Sequence, residues 1–332
     1  MAKDHYLVIG GCGFLGQALC TQLLDRGNIV SIFDLRINGA DPRLAEAIQG
    51  DITDPVQVSN ACKNKTIVIH TASPIHGKAT AIYFKVNVEG TRNVITACLE
   101  QGVSKLIFTS SASVTFNGEH LINANETVPY CKVHMDAYNE SKAIAETEVL
   151  NANCEQLLTC AIRPSGIFGP KDAQGSFAIA ESGKKGQWRL MVGNNQNLFD
   201  VTYVDNVAYA HILAADKIEW GSGIDGQPIF FWDYPKRLLH EMGYRNTQKI
   251  RLPNAVAFAI GALNDFISWV ASPFATLHPT LTRFRVKFMD ANRYYDISKA
   301  KKLLGYKPIV SLDEGFKRTA NYWKEQGYGV AA

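Results

Sequence analysis

The sequence predicts an α/β fold, a doubly wound parallel sheet with a smaller C-terminal substrate lobe. Apolar strand patterns alternate with helical patterns along the first half of the chain, as they do in βαβ units. A glycine-rich turn joins the first strand to the first helix, and an acidic residue ends the second strand. We expect residues 1–165 to form the sheet domain, with 197–215 returning to it. Residues 166–196 and 216–332 are expected to form the lobe.

The glycine-rich turn reads GGCGFLG, between the strand Tyr6–Ile9 and the helical stretch Gln17–Arg26. Gly10 and Gly13 permit a tight turn and let the backbone approach a pyrophosphate, whereas Gly16 lets the helix lie close to the strand. The phosphates would rest on free N–H groups at the amino end of the helix. The pattern therefore predicts a dinucleotide site, and the alternative is a structural glycine turn.

Acidic residues follow the next two strands. The second strand ends in Asp34, where a carboxylate can accept hydrogen bonds from the ribose hydroxyls. The same charge repels a 2′-phosphate, so NAD is predicted over NADP, although the nearby Arg36 softens that preference. Asp51 is placed to contact the adenine end, and Thr53 or Asp54 supplies the cap of the helix that follows.

Two further strands run into turns of small residues. Thr66–His70 leads into residues 71–74, and Lys105–Thr109 leads into residues 110–113, which are rich in serine. Ligands bind at the carboxyl ends of strands in open α/β sheets, so both turns are candidate binding segments. A hydroxyl of the serine turn could hydrogen-bond a substrate oxygen, and ordinary turn chemistry is the alternative. His70 is predicted to be a packed core imidazole rather than a catalyst.

Two helical patterns carry polar residues with possible chemical roles. Ile82–Glu100 holds Asn87 in its interior, which does not favour asparagine, so its amide is expected to serve a backbone or water relay. Ala137–Leu150 places Tyr138 and Lys142 one turn apart on the same face. A phenol has a pKa of about 10, and a neighbouring ammonium lowers it, so the pair suits proton transfer at an alcohol or ketone.

The later part of the chain is less regular. Leu157–Ile162 is the predicted sixth strand, and the rigid loop 163–170 after it is expected to cover a nicotinamide. Phe199–Val204 is a predicted strand that returns to the sheet, Asp205–Ala215 is a helix behind it, and Ser298–Leu304 is the predicted closing helix.

The stretch Val256–Ala271 is apolar on nearly all sides. One interpretation is a buried core helix. The other is a monotopic helix lying in a bilayer surface, with Trp269 at the interface and with Arg251 and Arg283 at its flanks. The sequence leaves both open.

Composition limits the class of protein. The chain has 332 residues, of which 46% are hydrophobic and 20% charged, as expected of a soluble globular protein. A net charge of +3 without a basic run does not point to nucleic acid. The 7 cysteines are scattered without zinc spacing, which favours a reducing compartment and no metal. We expect no cleavable signal peptide and no conventional spanning helix.

Together these segments resemble the extended short-chain dehydrogenase/reductase family, which has the Rossmann fold, and in particular its 3β-hydroxysteroid dehydrogenase branch. The glycine and Tyr/Lys motifs mark the superfamily, whereas the runs HTASP, RPSGIFGP, FDVTYVDNVA and AKKLLGY point to the part of the branch that acts on sterols. The matching segments include IGGCGFLG (9–16), HTASPIHG (70–77), FTSSASVTFNG (108–118), MDAYNESKAIAE (135–146), AIRPSGIFGPKD (161–172), NLFDVTYVDNVAYAHILAA (197–215) and YYDISKAKKLLGYKP (294–308).

The resemblance implies NAD-dependent oxidation of the 3β-hydroxyl of a 4-carboxy sterol or triterpenoid, with loss of the carboxylate as carbon dioxide. Tyr138 would be the base, Lys142 would lower its pKa and bind the ribose, and Ser111 would hold the same oxygen, with Asn87 behind them. The implied cofactor contacts are Gly10, Gly13, Phe14, Leu15, Gly16, Asp34, Arg36, Asp51, Ile52, Thr71, Ala72, Ser73, Thr109, Tyr138, Lys142, Pro164, Gly166 and Ile167, and the implied substrate contacts are Pro74, Ser113, Phe177 and Arg285.

The resemblance also implies a homodimer through the two long helices and a peripheral or monotopic place on the cytoplasmic face of the endoplasmic reticulum. The segment 226–229 departs from the family pattern and is expected to replace a longer strand. The alternatives are a non-decarboxylating 3β-hydroxysteroid dehydrogenase, a nucleotide-sugar epimerase, or a non-enzymatic protein that senses NAD.

Overall fold

Strands and helices alternate along most of the computed structural model, which describes residues 4–186, 190–193, 197–231, 241–243, 250–271 and 281–329. The strands are β1 His5–Ile9, β2 Ile29–Asp34, β3 Glu46–Gln49, β4 Ile67–His70, β5 Lys105–Thr109, β6 Leu121–Ala124, β7 Leu158–Pro164, β8 Gly166–Phe168, β9 Leu190–Val192, β10 Val201–Tyr203, β11 Gln227–Phe231, β12 Ile250–Leu252 and β13 Arg293–Tyr295. The helices are α1 Phe14–Asp25, α2 Pro55–Cys62, α3 Thr80–Tyr83, α4 Gly90–Gln101, α5 Ala137–Asn151, α6 Gly175–Lys184, α7 Val204–Lys217, α8 Asn254–Ala271, α9 Arg283–Asp290 and α10 Leu312–Glu325.

The central sheet has the order β11-β7-β5-β4-β1-β2-β3, and all neighbours in it are parallel. Ile9 at the end of β1 lies opposite Phe33 of β2 and His70 of β4. The direction in which the strands are added reverses between β1 and β4, so a crevice opens there at the carboxyl ends of the strands. This confirms the predicted doubly wound parallel sheet.

Both faces of the sheet are covered, which explains why its strands are continuously apolar. Successive side chains of β1 point to opposite faces. Val8 packs into a core shared with helices α1 and α7, whereas Leu7 packs into a core shared with α2, α4 and α5. Both side chains are fully buried. The sheet is therefore a rigid layer that holds the ends of its strands at one edge.

Two expectations about the later strands are wrong. The strand predicted to return to the sheet, Val201–Tyr203 in the structure, pairs instead with Gly166–Phe168 in a separate two-stranded sheet. One edge of the central sheet is formed by Gln227–Phe231, a segment that the sequence analysis assigned to the substrate lobe. Pro228 is tolerated there because an edge strand has one unpaired side. The rest of the division into two lobes stays a prediction.

Helix α8 is not a core helix, so that interpretation is wrong. Only 11% of its 18-residue apolar window is buried, and Phe266 and Trp269 are 59% and 71% exposed. The helix contacts the protein through Gly261, where an added Cβ would lie 2.8 Å from the backbone of Thr282 and Arg283. By length and composition it is the one helix in the described ranges that could cross a membrane.

Candidate active site

A large cleft of about 3070 Å³ opens at the carboxyl ends of the strands. That is more than one small ligand fills, since small-molecule sites usually measure about 300–1,000 Å³. Every cofactor contact that the resemblance implies lines this cleft, as do Ser111, Pro74, Ser113 and Arg285. The sequence-based prediction therefore brought together residues that the fold places in one cavity.

The glycine turn is built so that only glycine fits at its tight points. Gly10 has φ +84°, a left-handed conformation that disfavours other residues. A Cβ on Gly16 would lie 2.1 Å from the carbonyl oxygen of Gly10, so α1 sits directly against the turn. At Gly13 a Cβ would meet only that oxygen, at 3.0 Å, which leaves the mouth of the turn open. The amino end of α1 therefore offers a cradle that fits a pyrophosphate.

Two acidic residues, Asp34 and Asp51, line the cleft near the glycine turn. Asp34 ends β2, and its carboxylate accepts hydrogen bonds from the backbone N–H groups of Cys12 (3.0 Å) and Arg36 (3.2 Å). Asp51 accepts a hydrogen bond from the N–H of Thr53 at 2.9 Å. Asp54 caps α2, as expected. Asp34 thus braces the glycine turn as well as facing the cleft, while the side chain of Arg36 is exposed.

Tyr138 and Lys142 lie one turn apart on α5, which Asp136 caps through the N–H of Asn139 at 2.8 Å. The ammonium of Lys142 donates to the carbonyl oxygen of Thr109 and lies 4.1 Å from the centre of the Phe108 ring. Burial lowers the pKa of Lys142 to about 7, and the charge of Glu146 opposes that shift. The end of β5 therefore fixes the position of this lysine.

The structure does not bear out the expectation that Lys142 lowers the pKa of Tyr138. Burial raises the pKa of Tyr138 to about 12, and a hydrogen bond with Ser111 opposes the rise. The reason is that low-polarity surroundings disfavour the phenolate, and the lysine points to the end of β5 rather than to the phenol. Ser111 also hydrogen-bonds the hydroxyl of Ser113, at 2.7 Å.

Asn87, which the resemblance places behind the catalytic residues, does not line the cleft. It lies in a π-helical turn, Phe84–Glu89, between α3 and α4, and π turns often mark functional sites. Its amide oxygen accepts from Ser73 at 2.9 Å, and its amide nitrogen donates to Ser141 at 2.9 Å. The hydroxyl of Ser141 donates in turn to the carbonyl oxygen of Tyr138. The sequence predicted a relay to backbone or water. The structure instead shows side-chain hydrogen bonds from Asn87 to two serine hydroxyls, and they join the turn after β4 to the helix that carries Tyr138.

Other placements differ from the expectations or were not foreseen. Phe177 packs against Trp323 and Tyr328, outside the lining of the cleft, because its face of α6 is covered by the C-terminal helix.

The ring of His76 lies 4.4 Å from the ring of Tyr138, and the ring of Tyr83 lies 5.8 Å from it. Sequence reasoning missed these neighbours, although His76 stands within the HTASPIHG segment.

His70 is a core imidazole, as predicted. It is fully buried, and its Nε2 lies 3.1 Å from the hydroxyl of Thr91. Burial lowers its pKa to about 3, so it stays neutral and holds α4 against β4.

Comparisons with known proteins agree with this geometry. Residues 7–254 match the 3-beta hydroxysteroid dehydrogenase/isomerase family. The sterol-4-alpha-carboxylate 3-dehydrogenase ERG26, decarboxylating, of Candida albicans is 42% identical over 96% of this chain and 97% of that protein. The sterol-4-alpha-carboxylate 3-dehydrogenase, decarboxylating, of Mus musculus is 40% identical over 94% of this chain and 89% of that protein.

Solved structures share the fold. The crystal structure of gox2253 has a TM-score of 0.79 at 26% identity and covers 98% of this chain and 99% of its own. A UDP-glucose 4-epimerase of Thermotoga maritima has a TM-score of 0.74 at 20% identity, with 97% and 99% covered. The glycine cradle, the paired Tyr138 and Lys142 and the family match lead to one conclusion: this chain belongs to the 3-beta hydroxysteroid dehydrogenase/isomerase family.

Proposed function

We propose that the protein oxidises the 3β-hydroxyl of a 4-carboxy sterol or triterpenoid to the 3-ketone with NAD, and that the C4 carboxylate is lost as carbon dioxide. The observation that carries this proposal is the meeting of Ser111, Tyr138 and Lys142 with the glycine cradle in one cleft. The names of relatives near 40% identity over most of their length support the substrate class.

The side chains of the protein carry out the proton transfer of the reaction. Tyr138, in its phenolate form, takes the proton of the 3-hydroxyl. Ser111, whose hydrogen bond lowers the pKa of that phenol, bonds the same substrate oxygen while charge develops on it. Lys142 holds its place through Thr109 and supplies positive charge nearby. Bound NAD would supply the acceptor for the hydride that leaves C3.

The ketone makes the second step easy. In a 3-keto-4-carboxylate, the C4–carboxylate bond breaks and its electron pair moves into the ketone to give an enolate, while carbon dioxide leaves. The hydroxyls of Ser111 and Tyr138 stabilise the enolate oxygen. The proton that Tyr138 took in the first step is then available to return to the product.

The test is incubation with NAD and a panel of 3-hydroxy-4-carboxy sterols, with NADH absorbance and released carbon dioxide followed together. We expect both products in equal amounts. A 3β-hydroxysteroid oxidised without carbon dioxide would favour the non-decarboxylating alternative. The epimerase alternative is not favoured, because the epimerases of similar fold are about half as similar in sequence as the sterol relatives.

Asp34 is proposed to set the preference for NAD. Asp34→Asn removes the charge but keeps an oxygen that can accept from Cys12. We expect the ratio of kcat/KM for NADP to that for NAD to rise about 10–100-fold, since a like charge beside a phosphate costs several kcal/mol. Steady-state kinetics with both coenzymes measures this ratio. An unchanged ratio would show that Asp34 only braces the glycine turn.

We further propose that α8 rests in the surface of a membrane, and that this membrane is the endoplasmic reticulum, in keeping with the sterol substrates in the names of the relatives. Large apolar side chains of α8, among them Leu263, Phe266 and Trp269, are more than half exposed. A contiguous apolar surface of this kind is rarely left in water and often marks a membrane contact. Phe266→Ser with Trp269→Ser should reduce co-sedimentation with phosphatidylcholine vesicles at least about tenfold, from the apolar area removed. Trp220→Ser, at a residue 55% exposed elsewhere, serves as the control. Failure of the wild-type protein to co-sediment with the vesicles would refute the proposal.

A homodimer through the two long helices is also proposed. Helices α4 and α5 lie side by side at the surface, joined by an ion pair between Arg92 and Glu148 at 2.6 Å. Leu99 of α4 is 48% exposed there. Light scattering of the purified protein gives the oligomeric state, and a monomer at micromolar concentration would refute this interface.

A further inference from the structure

A buried arginine lines the same cleft as Ser111 and Tyr138. Arg293 of β13 is 5% exposed, and three aromatic rings hold its guanidinium. The guanidinium carbon lies 3.5 Å from the centre of one ring, 4.3 Å from the second and 4.6 Å from the third; the rings are Phe288, Phe199 and Phe116 in that order. Aromatic faces attract a cation but do not neutralise its charge.

The charge of Arg293 has no acidic partner in the part of the chain that the structure describes. One terminal nitrogen donates to the carbonyl oxygen of Phe288 at 3.1 Å, and its Nε is buried without a hydrogen-bond partner. Burial lowers the pKa of Arg293 to about 10, so the side chain still carries its charge at neutral pH. Buried charges are normally paired, since an isolated one is costly to desolvate. A cation kept in this way on the wall of a cleft is suited to an anionic ligand.

Arg293 is tied to the segment that carries Ser111. The hydroxyl of Tyr295, two residues along β13, donates to the carbonyl oxygen of Ala112 at 3.4 Å. Phe116, whose ring contacts the guanidinium, follows Ser111 in the same loop. The cation is therefore fixed by short connections to the loop that would hold the reacting oxygen.

Arg285 is the cation that the sequence indicated, and its setting is different. It lies on α9 at the rim of the same cleft with an exposed side chain. Water screens an exposed guanidinium, so its attraction for a carboxylate is small. In the apolar surroundings of Arg293 the same attraction is much stronger.

We propose that Arg293 is the residue that receives the substrate's carboxylate and so selects acids over neutral sterols. This rests on the function proposed above. The guanidinium presents a planar set of donors that matches the two oxygens of a carboxylate. Once carbon dioxide has left, the neutral ketone no longer pairs with Arg293, so the acid binds more tightly than the product.

The test compares two substrates of one skeleton, a 3β-hydroxy-4-carboxy sterol and its methyl ester. The variant is Arg293→Met, whose unbranched apolar chain suits a pocket of three rings. We expect kcat/KM for the acid to fall about 10–100-fold through KM, because one charged hydrogen-bonding partner is lost. The value for the ester should stay close to wild type. Arg293→Lys, which keeps the charge, should recover part of the selectivity.

The acid-to-ester ratio separates a binding role from a structural one. Equal losses on both substrates would overturn the proposal, as would loss of selectivity in Arg285→Gln but not in Arg293→Met. Arg293→Gln replaces the methionine variant if that protein does not fold, as judged by its thermal melt and NAD binding. Failure of the wild type to oxidise the acid and the ester alike would instead reject the proposed function itself.

Discussion

Tyr138→Phe is expected to bind NAD as tightly as the wild type but to oxidise a 4-carboxy sterol about 10²–10⁴-fold more slowly, the usual contribution of a positioned acid or base. The phenyl ring still packs on His76 and Tyr83, so the cleft keeps its shape. Only the oxygen that exchanges the proton is lost. Single-turnover NADH formation and NAD titration measure the two quantities.

Tyr83→Phe is the matched control for this prediction. It makes the same chemical change on a ring 5.8 Å from that of Tyr138, and its hydroxyl bonds to the carbonyl oxygen of Ile75 rather than to the reacting groups. We expect turnover within a few-fold of wild type. A larger loss in Tyr83→Phe than in Tyr138→Phe would contradict the assignment of the proton to Tyr138.

Lys142→Met is expected to abolish most of the activity while raising the melting temperature of the ligand-free protein by several degrees. Burial lowers the pKa of Lys142 to about 7, whereas an unfolded chain keeps lysine protonated up to a pH of about 10.4. Between these values the unfolded state binds a proton that the folded state does not, so wild-type stability rises with pH across the window. Below about pH 7 both states are protonated, and the folded state bears the full cost of the buried charge.

The gain from Lys142→Met should therefore be largest below about pH 7 and shrink towards pH 10. Thermal melts without NAD, over that range, measure it. Lys302→Met removes an exposed lysine and should show no such pH dependence. A variant less stable than wild type at every pH would show that the bond from Lys142 to Thr109 outweighs the cost of burial.

Local chemistry explains what the sequence could predict. The turn at Gly10–Gly16 is dictated by backbone conformation and close approach within seven residues, and the Tyr138–Lys142 pair by helical spacing. The parallel sheet follows from alternating patterns. Each of these needs no knowledge of distant parts of the chain.

The features that the sequence could not predict depend on contacts between residues far apart in the chain. Arg293 acquires its setting from Phe116 and Phe199, which no local pattern links to it. The pairing of Val201–Tyr203 with Gly166–Phe168 is likewise decided by the tertiary fold. The final helix, Leu312–Glu325, was missed although a local signal was present. Ser311 caps it, and Glu314 stands at the third position, as in a capping box.

The burial of Tyr138 shows why a pKa cannot be taken from spacing alone. The sequence places an ammonium one turn away, but the folded protein directs that ammonium to the end of β5 and surrounds the phenol with His76 and Tyr83. Desolvation then raises the pKa of Tyr138, and the hydrogen bond with Ser111 opposes this rise only in part.

Hydride transfer from C3 to NAD, coupled to loss of carbon dioxide, is tested most directly with a 4-carboxy sterol that carries deuterium at C3 in place of the carbinol hydrogen. With wild-type protein and NAD, we predict that the deuterium appears in the reduced coenzyme in equal amount to the carbon dioxide released, and that Tyr138→Phe loses both together. Carbon dioxide released without deuterium transfer, or transfer that persists undiminished in Tyr138→Phe, would contradict the account.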